Sequence, residues 1–231
     1  MKNVSLTLNE KKIYALMGAN GSGKTTLFNL ITGFHKIQLG EIFFNGQKIT
    51  DLPPYIINRI GIGRTFQDLR LISKLSVKEN VLLAMQQNPT DSWIRALLPS
   101  WIYNQKLKQL ENTADKIISD YFLKEVEHSL ANEISFGQQK LLNLACGVAN
   151  GAELLLLDEP IAGISPELRA KMIVLIKNLK QKGKTILMIE HNTDFIAETA
   201  DCFLFLTDGH LFEYNNFVEL KNSKIAANAY F

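Results

Sequence analysis

The sequence predicts an α/β fold with a mainly parallel core sheet, an antiparallel part and an inserted α-helical subdomain. From Gly151 onwards, short apolar runs alternate with amphipathic segments, as strands alternate with helices in a parallel sheet. Near the start of the chain, a glycine-rich loop links an apolar run to a helical pattern. Between about residues 68 and 145, helical periodicity replaces the strand-like runs, which indicates the insertion.

Strands are predicted where short apolar or alternating runs are bounded by turn residues. Asn45-Gly46 indicates the two-residue turn of a hairpin, and Asp208-Gly209 indicates a second turn. In chain order, the predicted strands are residues 4–8, 13–17, 42–44, 48–49, 60–66, 153–157, 185–189, 202–206 and 211–214.

Helices are predicted where apolar residues recur every three or four positions. Gly33 and Gly183 are expected to end the first and last of them, as glycine often does. Ser135, followed three residues later by Gln138, forms a capping-box pattern at the start of another. The remaining amphipathic segments are residues 77–87, 103–122 and 167–182.

Length and charge limit the classes of function. The 231 residues suit one large domain, with a core of about 1–67 and 146–231 and a helical subdomain of about 68–145. The formal net charge of +2 comes without a basic run or face, so we expect no nucleic-acid partner. No run approaches the roughly 18 apolar residues of a spanning helix, and the first residues lack a signal peptide's apolar core. Any membrane association is expected to come through a partner.

The glycine-rich loop fits the phosphate-loop pattern G-x-x-x-x-G-K-[ST]. Its glycines allow backbone N–H groups to surround phosphate oxygens, and the N-terminus of the following helix favours an anion. Lys24 is expected to reach the outer phosphates and the Thr25 hydroxyl to bind Mg²⁺. A glycine-rich turn with an ordinary surface lysine is the alternative. The predicted nucleotide-binding residues here are Gly18, Ala19, Asn20, Gly21, Ser22, Gly23, Lys24, Thr25 and Thr26.

Two acids, Asp158 and Glu159, follow the apolar run Leu154–Leu157. Because ligands of open α/β sheets lie beyond the carboxyl ends of strands, both acids are expected near the phosphate loop. Asp158 is predicted to hold Mg²⁺, and Glu159 is predicted to act as general base toward the attacking water. Solvated acids at a strand end are the alternative.

Gln67 and His191 also follow predicted strands. His191 is expected to contact the terminal phosphate and steady the water, and Gln67 to bind Mg²⁺ or that water. A solvated histidine and a polar loop amide are the alternatives.

The predicted helix start at Ser135, Gly137 and Gln138 presents N–H and O–H groups that could bind an anion as well as form the capping box.

Taken in order, these motifs resemble the nucleotide-binding subunits of ABC transporters, which are P-loop NTPases with a RecA-like core. The resemblance covers essentially the whole chain, and the sequence is most similar to the ATPase subunits of branched-chain amino-acid importers. Urea and lipopolysaccharide-export ATPases share much of it. The residues that carry the resemblance are the phosphate loop, Gly63–Gln67, the insertion Trp93–Trp101, Ile134–Gln139, Leu154–Glu159, Ala162–Ser165, Ile189–His191 and Ala229–Phe231.

The resemblance implies an ATPase that powers transport, with ATP and Mg²⁺ as its ligands. It implies that two cassettes pack head to tail, so that Ser135 and Gly137 of one close over the ATP bound by the other. The implied partners are a second ATPase subunit, two transmembrane permease subunits and a solute-binding protein, with the chain on the cytoplasmic face of the membrane. The groove around residues 68–82 would receive a helix of the permease.

Three other functions remain open at this stage: a soluble ABC-type ATPase of DNA repair or translation, a cassette that hydrolyses ATP poorly, and a small-molecule kinase.

Three features depart from the family pattern. The adenine-stacking aromatic of the family's extra first strand has no counterpart in this sequence, because Tyr14 is predicted to be a core residue. Ile134 and Phe136 stand where the general pattern has Leu and Gly, and Ser165 stands where most relatives carry an acid.

Overall fold

The computed structural model describes residues 4–66, 69–85 and 100–226. The chain divides into two compact units. The sequence placed the second boundary near residue 145, whereas the helix Phe136–Ala149 is continuous and belongs to the second unit. The first unit comprises Met1–Gln67, Ala152–Ala162 and Pro166–Phe231, and the second comprises Asp68–Gly151 and Gly163–Ser165.

The first unit contains a six-stranded sheet, whose neighbouring strands are, in order, Ile62–Arg64 (β4), Leu154–Asp158 (β5), Thr185–Ile189 (β6), Ile13–Met17 (β1), Cys202–Thr207 (β7) and His210–Tyr214 (β8). Neighbouring strands are parallel except for β7 and β8, which are antiparallel. The predicted α/β fold, with a parallel core and an antiparallel part, is therefore confirmed. The strands are β1 (Ile13–Met17), β2 (Phe43–Phe44), β3 (Gln47–Lys48), β4 (Ile62–Arg64), β5 (Leu154–Asp158), β6 (Thr185–Ile189), β7 (Cys202–Thr207) and β8 (His210–Tyr214), of which β2 and β3 form a separate hairpin.

The hairpin turn is confirmed, but the predicted strand at residues 4–8 is wrong. Asn45 and Gly46 have φ values of 50° and 75°, as the two central residues of a type I′ turn require. Residues 4–8 have no strand structure. Val4, Leu6 and Leu8 instead pack against the core, so their alternation reflects one buried face and not a hydrogen-bonded ladder.

The core of the first unit lies on the sheet. Every residue of β1, β5 and β6 is buried, as expected for parallel strands with both faces covered. Tyr14 is fully buried, which confirms its predicted core position. The described helices of this unit include Lys24–Ile31, Pro54–Arg59, Pro166–Gln181, Thr193–Thr199 and Phe217–Asn222.

The second unit is helical, as the periodicity predicts. Within the residues that the structure describes, this unit has the helices Val77–Ala84, Ser100–Asp120 and Phe136–Ala149, with a short 3₁₀ turn at Lys124–Val126, and these helices pack against one another. Capping boxes begin two of them, at Ser76 with Glu79 and at Ser135 with Gln138. No helix within the described parts of the chain is both long and apolar enough to cross a membrane.

Candidate functional site

The phosphate loop, the two acids and the histidine all belong to the first unit, at the carboxyl ends of adjacent parallel strands. The loop follows β1, Asp158 is the last residue of β5, and His191 lies just beyond β6. β6 lies between β1 and β5, and its Ile189 pairs with Leu16 on one side and with Asp158 on the other. The register therefore brings these residues to one edge of the sheet, where ligands of α/β proteins bind.

The loop between β1 and the Lys24–Ile31 helix has a backbone suited to an anion. Gly18, Gly21 and Gly23 have φ values of 146°, 82° and 105°, which glycine adopts readily. Gly23 is the helix N-cap, and no side chain caps this end. Ser22 Oγ is buried without a hydrogen-bond partner among the described residues. Donors of this kind at a helix N-terminus bind phosphate.

Lys24 is the buried cation of the loop. It is 7% exposed, and its Nζ donates to the carbonyl oxygens of Gly18 at 2.6 Å and Ala19 at 3.0 Å. Burial lowers the pKa of Lys24, and the negative charges of Glu159 and Asp158 oppose that change. A bound anion would further favour the charged form. The alternative of an ordinary surface lysine is wrong.

Glu159 and His191 lie close together at this edge of the sheet. Glu159 has a φ of 48°, in the left-handed region that residues other than glycine seldom adopt and that is found at functional sites. Its Oε1 lies 3.5 Å from Nε2 of His191, and the two side chains are 25% and 39% exposed. A partly exposed carboxylate held beside an imidazole can take a proton from a water molecule.

Asp158 is buried, and Arg64 holds it. An Nη of Arg64 lies 3.4 Å from Oδ2 of Asp158, and both side chains are about 5% exposed. The guanidinium also donates to Asn29 Oδ1 at 2.7 Å and to Thr32 Oγ1 at 3.2 Å. It stacks 4.6 Å from the centroid of the Phe66 ring. Arg64 thus joins the end of β5 to the helix that follows the phosphate loop.

Sequence reasoning missed this role of Arg64. From the sequence alone, Arg64 is noted only as part of Gly63–Gln67, one of the segments that resemble the family. The available signal is a single charge inside an otherwise apolar predicted strand, since a charge there needs a partner. Which partner it takes depends on a contact 94 residues away along the chain, and no local pattern reports that.

Replacing Arg64 by Ala is expected to lower the free energy of unfolding by about 3–5 kcal/mol, because it removes the guanidinium that pairs with the buried Asp158 carboxylate. Urea denaturation measures the change. The exposed pair Lys177–Glu198, with side chains 43% and 53% exposed, provides the matched control. Lys177→Ala should cost less than about 1 kcal/mol. Equal losses in the two variants would contradict the assignment of Arg64 as the residue that compensates Asp158.

Ser135, Gly137 and Gln138 belong to the second unit. Ser135 Oγ accepts from the N–H of Gln138 at 3.3 Å, and Gln138 Oε1 accepts from the N–H of Ser135 at 2.9 Å. The predicted capping box is therefore confirmed. Phe136 is 49% exposed, and its ring would lie 3.0 Å from a Cβ added at Gly163. Nucleotide contact by this helix start stays a prediction.

Several predicted positions lie outside the described residues. They include Gln67, with its predicted roles toward Mg²⁺ and water. The predicted docking groove is described from residue 69 to residue 82. The remaining positions outside the description are Asp68, residues 86–87 of the predicted helix, residues 93–99 of the Trp93–Trp101 insertion, and Ala229–Phe231.

Comparisons with known proteins agree on one family. A family model described as "ABC transporter" matches residues 1–162. A probable branched-chain amino acid transport ATP-binding protein of Archaeoglobus fulgidus is 31% identical over 230 residues, which cover 100% of this chain and 88% of that protein.

Two solved structures extend the comparison to the fold. The crystal structure of a nucleotide-free ATP-binding cassette from an ABC transporter matches with a TM-score of 0.83 and 32% identity, over 99% of this chain and 91% of the other. A dimeric ATP-binding cassette in a post-hydrolysis state, bound to ADP and phosphate, matches with a TM-score of 0.77 and 25% identity, over 93% and 90%.

Proposed function

Because this chain belongs to the ABC transporter family, we propose that it powers the import of branched-chain amino acids. It is the ATP-binding and ATP-hydrolysing subunit of such a transporter. The observation that carries the proposal is the arrangement of Lys24, Asp158, Glu159 and His191 at one edge of the sheet. The substrate class follows the relative named for branched-chain amino acid transport.

Binding of ATP rests on the phosphate loop. The N–H groups of Gly18–Thr26 surround the phosphates, and Lys24 exchanges its bonds to the Gly18 and Ala19 carbonyls for phosphate oxygens. This exchange places the positive charge of Lys24 next to the phosphoryl group that is transferred. Catalysis of phosphoryl transfer consists mainly of such positioning and charge stabilisation.

Thr25 and Asp158 would hold Mg²⁺, with Gln67 as a predicted further ligand. Hydroxyl, carboxylate and amide oxygens are the ligands that Mg²⁺ prefers, and it takes its remaining ligands from phosphate and water. Arg64 keeps the Asp158 carboxylate fixed at the strand end. When bound, the ion neutralises part of the charge on the phosphates.

Hydrolysis requires a base for the attacking water. Glu159 accepts the proton, and His191, 3.5 Å from Glu159 Oε1, orients the water and the terminal phosphate. Ser135, Gly137 and Gln138 of a second cassette complete the site. The dimeric cassette solved with ADP and phosphate supports the formation of such a dimer. Closure of the dimer acts on two transmembrane permease subunits at the cytoplasmic face of the membrane.

Uptake of radiolabelled leucine, isoleucine and valine tests the substrate class. Cells in which this chain carries Glu159→Gln should lose uptake of all three, because permeases do not cycle without ATP hydrolysis. Cells that express wild-type chain at the same level serve as the control. Normal amino-acid uptake with lost urea uptake or lost lipopolysaccharide export would assign the chain to another transporter. Unchanged uptake of all three amino acids would contradict the proposed role in branched-chain amino-acid import.

A further inference from the structure

A buried carboxylate beside His191 has no part in the chemistry described above. Glu190 is 4% exposed. Its Oε1 accepts from the N–H of Ile161 at 3.1 Å, and its Oε2 accepts from the N–H groups of His191 at 2.8 Å and Asn192 at 3.2 Å. Both oxygens therefore accept hydrogen bonds from main-chain N–H groups, and the two oxygens bind two different loops of the first unit.

The two loops that Glu190 joins carry Glu159 and His191, the residues assigned above to the attacking water. Ile161 lies two residues after Glu159 in the loop that follows β5, and His191 lies in the loop that follows β6. The N–H of Glu159 also donates to the carbonyl of Ile189 at 3.0 Å. The loop after β5 thus donates two hydrogen bonds, from Glu159 and Ile161, to the consecutive residues Ile189 and Glu190 at the end of β6. They hold the left-handed backbone at Glu159, where φ is 48°.

The histidine loop is fixed on both sides of its functional residue. Glu190 binds the N–H groups of His191 and Asn192. Asn192 in turn caps the Thr193–Thr199 helix, where its Oδ1 accepts from the N–H of Phe195 at 2.9 Å. The main chain at His191 therefore has little freedom to move away from Glu159.

We propose that Glu190 is a positioning residue for ATP hydrolysis, which holds Glu159 and His191 in register across the two loops. This role rests on the proposed function, since it concerns the groups assigned there to the attacking water. Small displacements of reacting groups cost rate far more than they cost binding. Loss of Glu190 should therefore lower kcat and leave nucleotide affinity nearly unchanged.

Only a carboxylate meets the demands of this position. All three partners are N–H donors, so the side chain must accept hydrogen bonds at both ends. A glutamine accepts at one end only, and its NH₂ group would face a donor on one of the two loops. Glu190→Gln consequently breaks the link between the loops with almost no change in side-chain volume.

The experiment compares kcat and KM for ATP, together with nucleotide affinity, in wild type, Glu190→Gln and Glu219→Gln. Glu219 is the matched control, because its carboxylate also accepts a backbone N–H, that of Asn215 at 3.1 Å, but at an exposed site. Glu190→Gln should lower kcat at least about tenfold, while the Kd of a fluorescent ATP analogue stays within about threefold of wild type. Glu219→Gln should change neither value by more than about twofold.

A double-mutant cycle with His191→Ala separates positioning from a general loss of structure. If Glu190 acts through His191, the loss from Glu190→Gln should shrink at least about threefold in the His191→Ala background. Fully multiplicative losses would overturn the proposal, as would a kcat within about twofold of wild type. If Glu190→Gln lowers the melting temperature, Glu190→Asp takes its place under the same criteria. The aspartate keeps the charge, but its side chain is one methylene too short to reach both loops.

The outcome also distinguishes this role from the proposed function. A wild-type chain without Glu159-dependent hydrolysis would contradict both. Glu159-dependent hydrolysis that is indifferent to Glu190→Gln would overturn the role of Glu190 alone.

Discussion

Replacement of Glu159 by Gln is expected to slow ATP hydrolysis at least about 100-fold while ATP still binds. The amide keeps the size and left-handed backbone position of Glu159 but cannot accept a proton from water. Its 3.5 Å approach to His191 Nε2 can persist through the amide oxygen. Phosphate release under saturating Mg-ATP measures kcat, and equilibrium titration with a fluorescent ATP analogue measures binding.

Glu153→Gln is the control for this effect. Glu153 directly precedes β5, at the opposite end of the same strand, and its Oε2 accepts from the Asn45 side chain at 2.9 Å. The same chemical change at the remote end should leave kcat within about twofold of wild type. Unchanged turnover in Glu159→Gln would remove Glu159 as the base and return it to a solvated acid at a strand end.

Replacement of Gly18 by Ala is expected to weaken ATP binding at least about 100-fold, which corresponds to about 2.7 kcal/mol. An added Cβ at Gly18 would overlap the carbonyl oxygen of Leu206 and approach Ser22 Oγ at 2.9 Å. The φ of 146° is also one that alanine rarely adopts. The loop must therefore move, and with it the Gly18 carbonyl that receives Lys24. Titration with the fluorescent ATP analogue measures the loss.

Gly40→Ala separates the steric effect from the backbone strain. Gly40 also has a positive φ, 105°, but a Cβ there would meet nothing within 4 Å. This variant should fold less stably by about 1 kcal/mol and bind the ATP analogue as wild type does. If the two variants bound equally well, the close approach at Gly18 would have no bearing on the nucleotide site.

The sequence was sufficient for the parts of the site that follow from local patterns. The phosphate loop has a fixed spacing, and Asp158 and His191 follow short apolar runs that predict buried parallel strands. Since such strands align their carboxyl ends, the shared location of these side chains could be predicted. The hairpin turn at Asn45-Gly46 is equally local, because its two positive φ values depend on those residues themselves.

The remaining features depend on contacts between distant segments. Arg64 meets Asp158 across 94 residues, and Glu190 meets Ile161 across 29. A charge in or beside an apolar run announces that a partner exists but not which one. The strand expected at residues 4–8 failed for a related reason, because a period of two reports a buried face whether or not a neighbouring strand supplies hydrogen bonds.

In the proposed function one chain forms half of a dimer that ATP closes, and the mass of the Glu159→Gln variant in solution tests this most directly. With slow hydrolysis, saturating Mg-ATP should convert the monomer into a dimer of twice the mass, measured by light scattering after size exclusion. The dimer should not form with ADP, nor in the double variant Gly18→Ala/Glu159→Gln. A Glu159→Gln chain that binds ATP but remains strictly monomeric would contradict the claim.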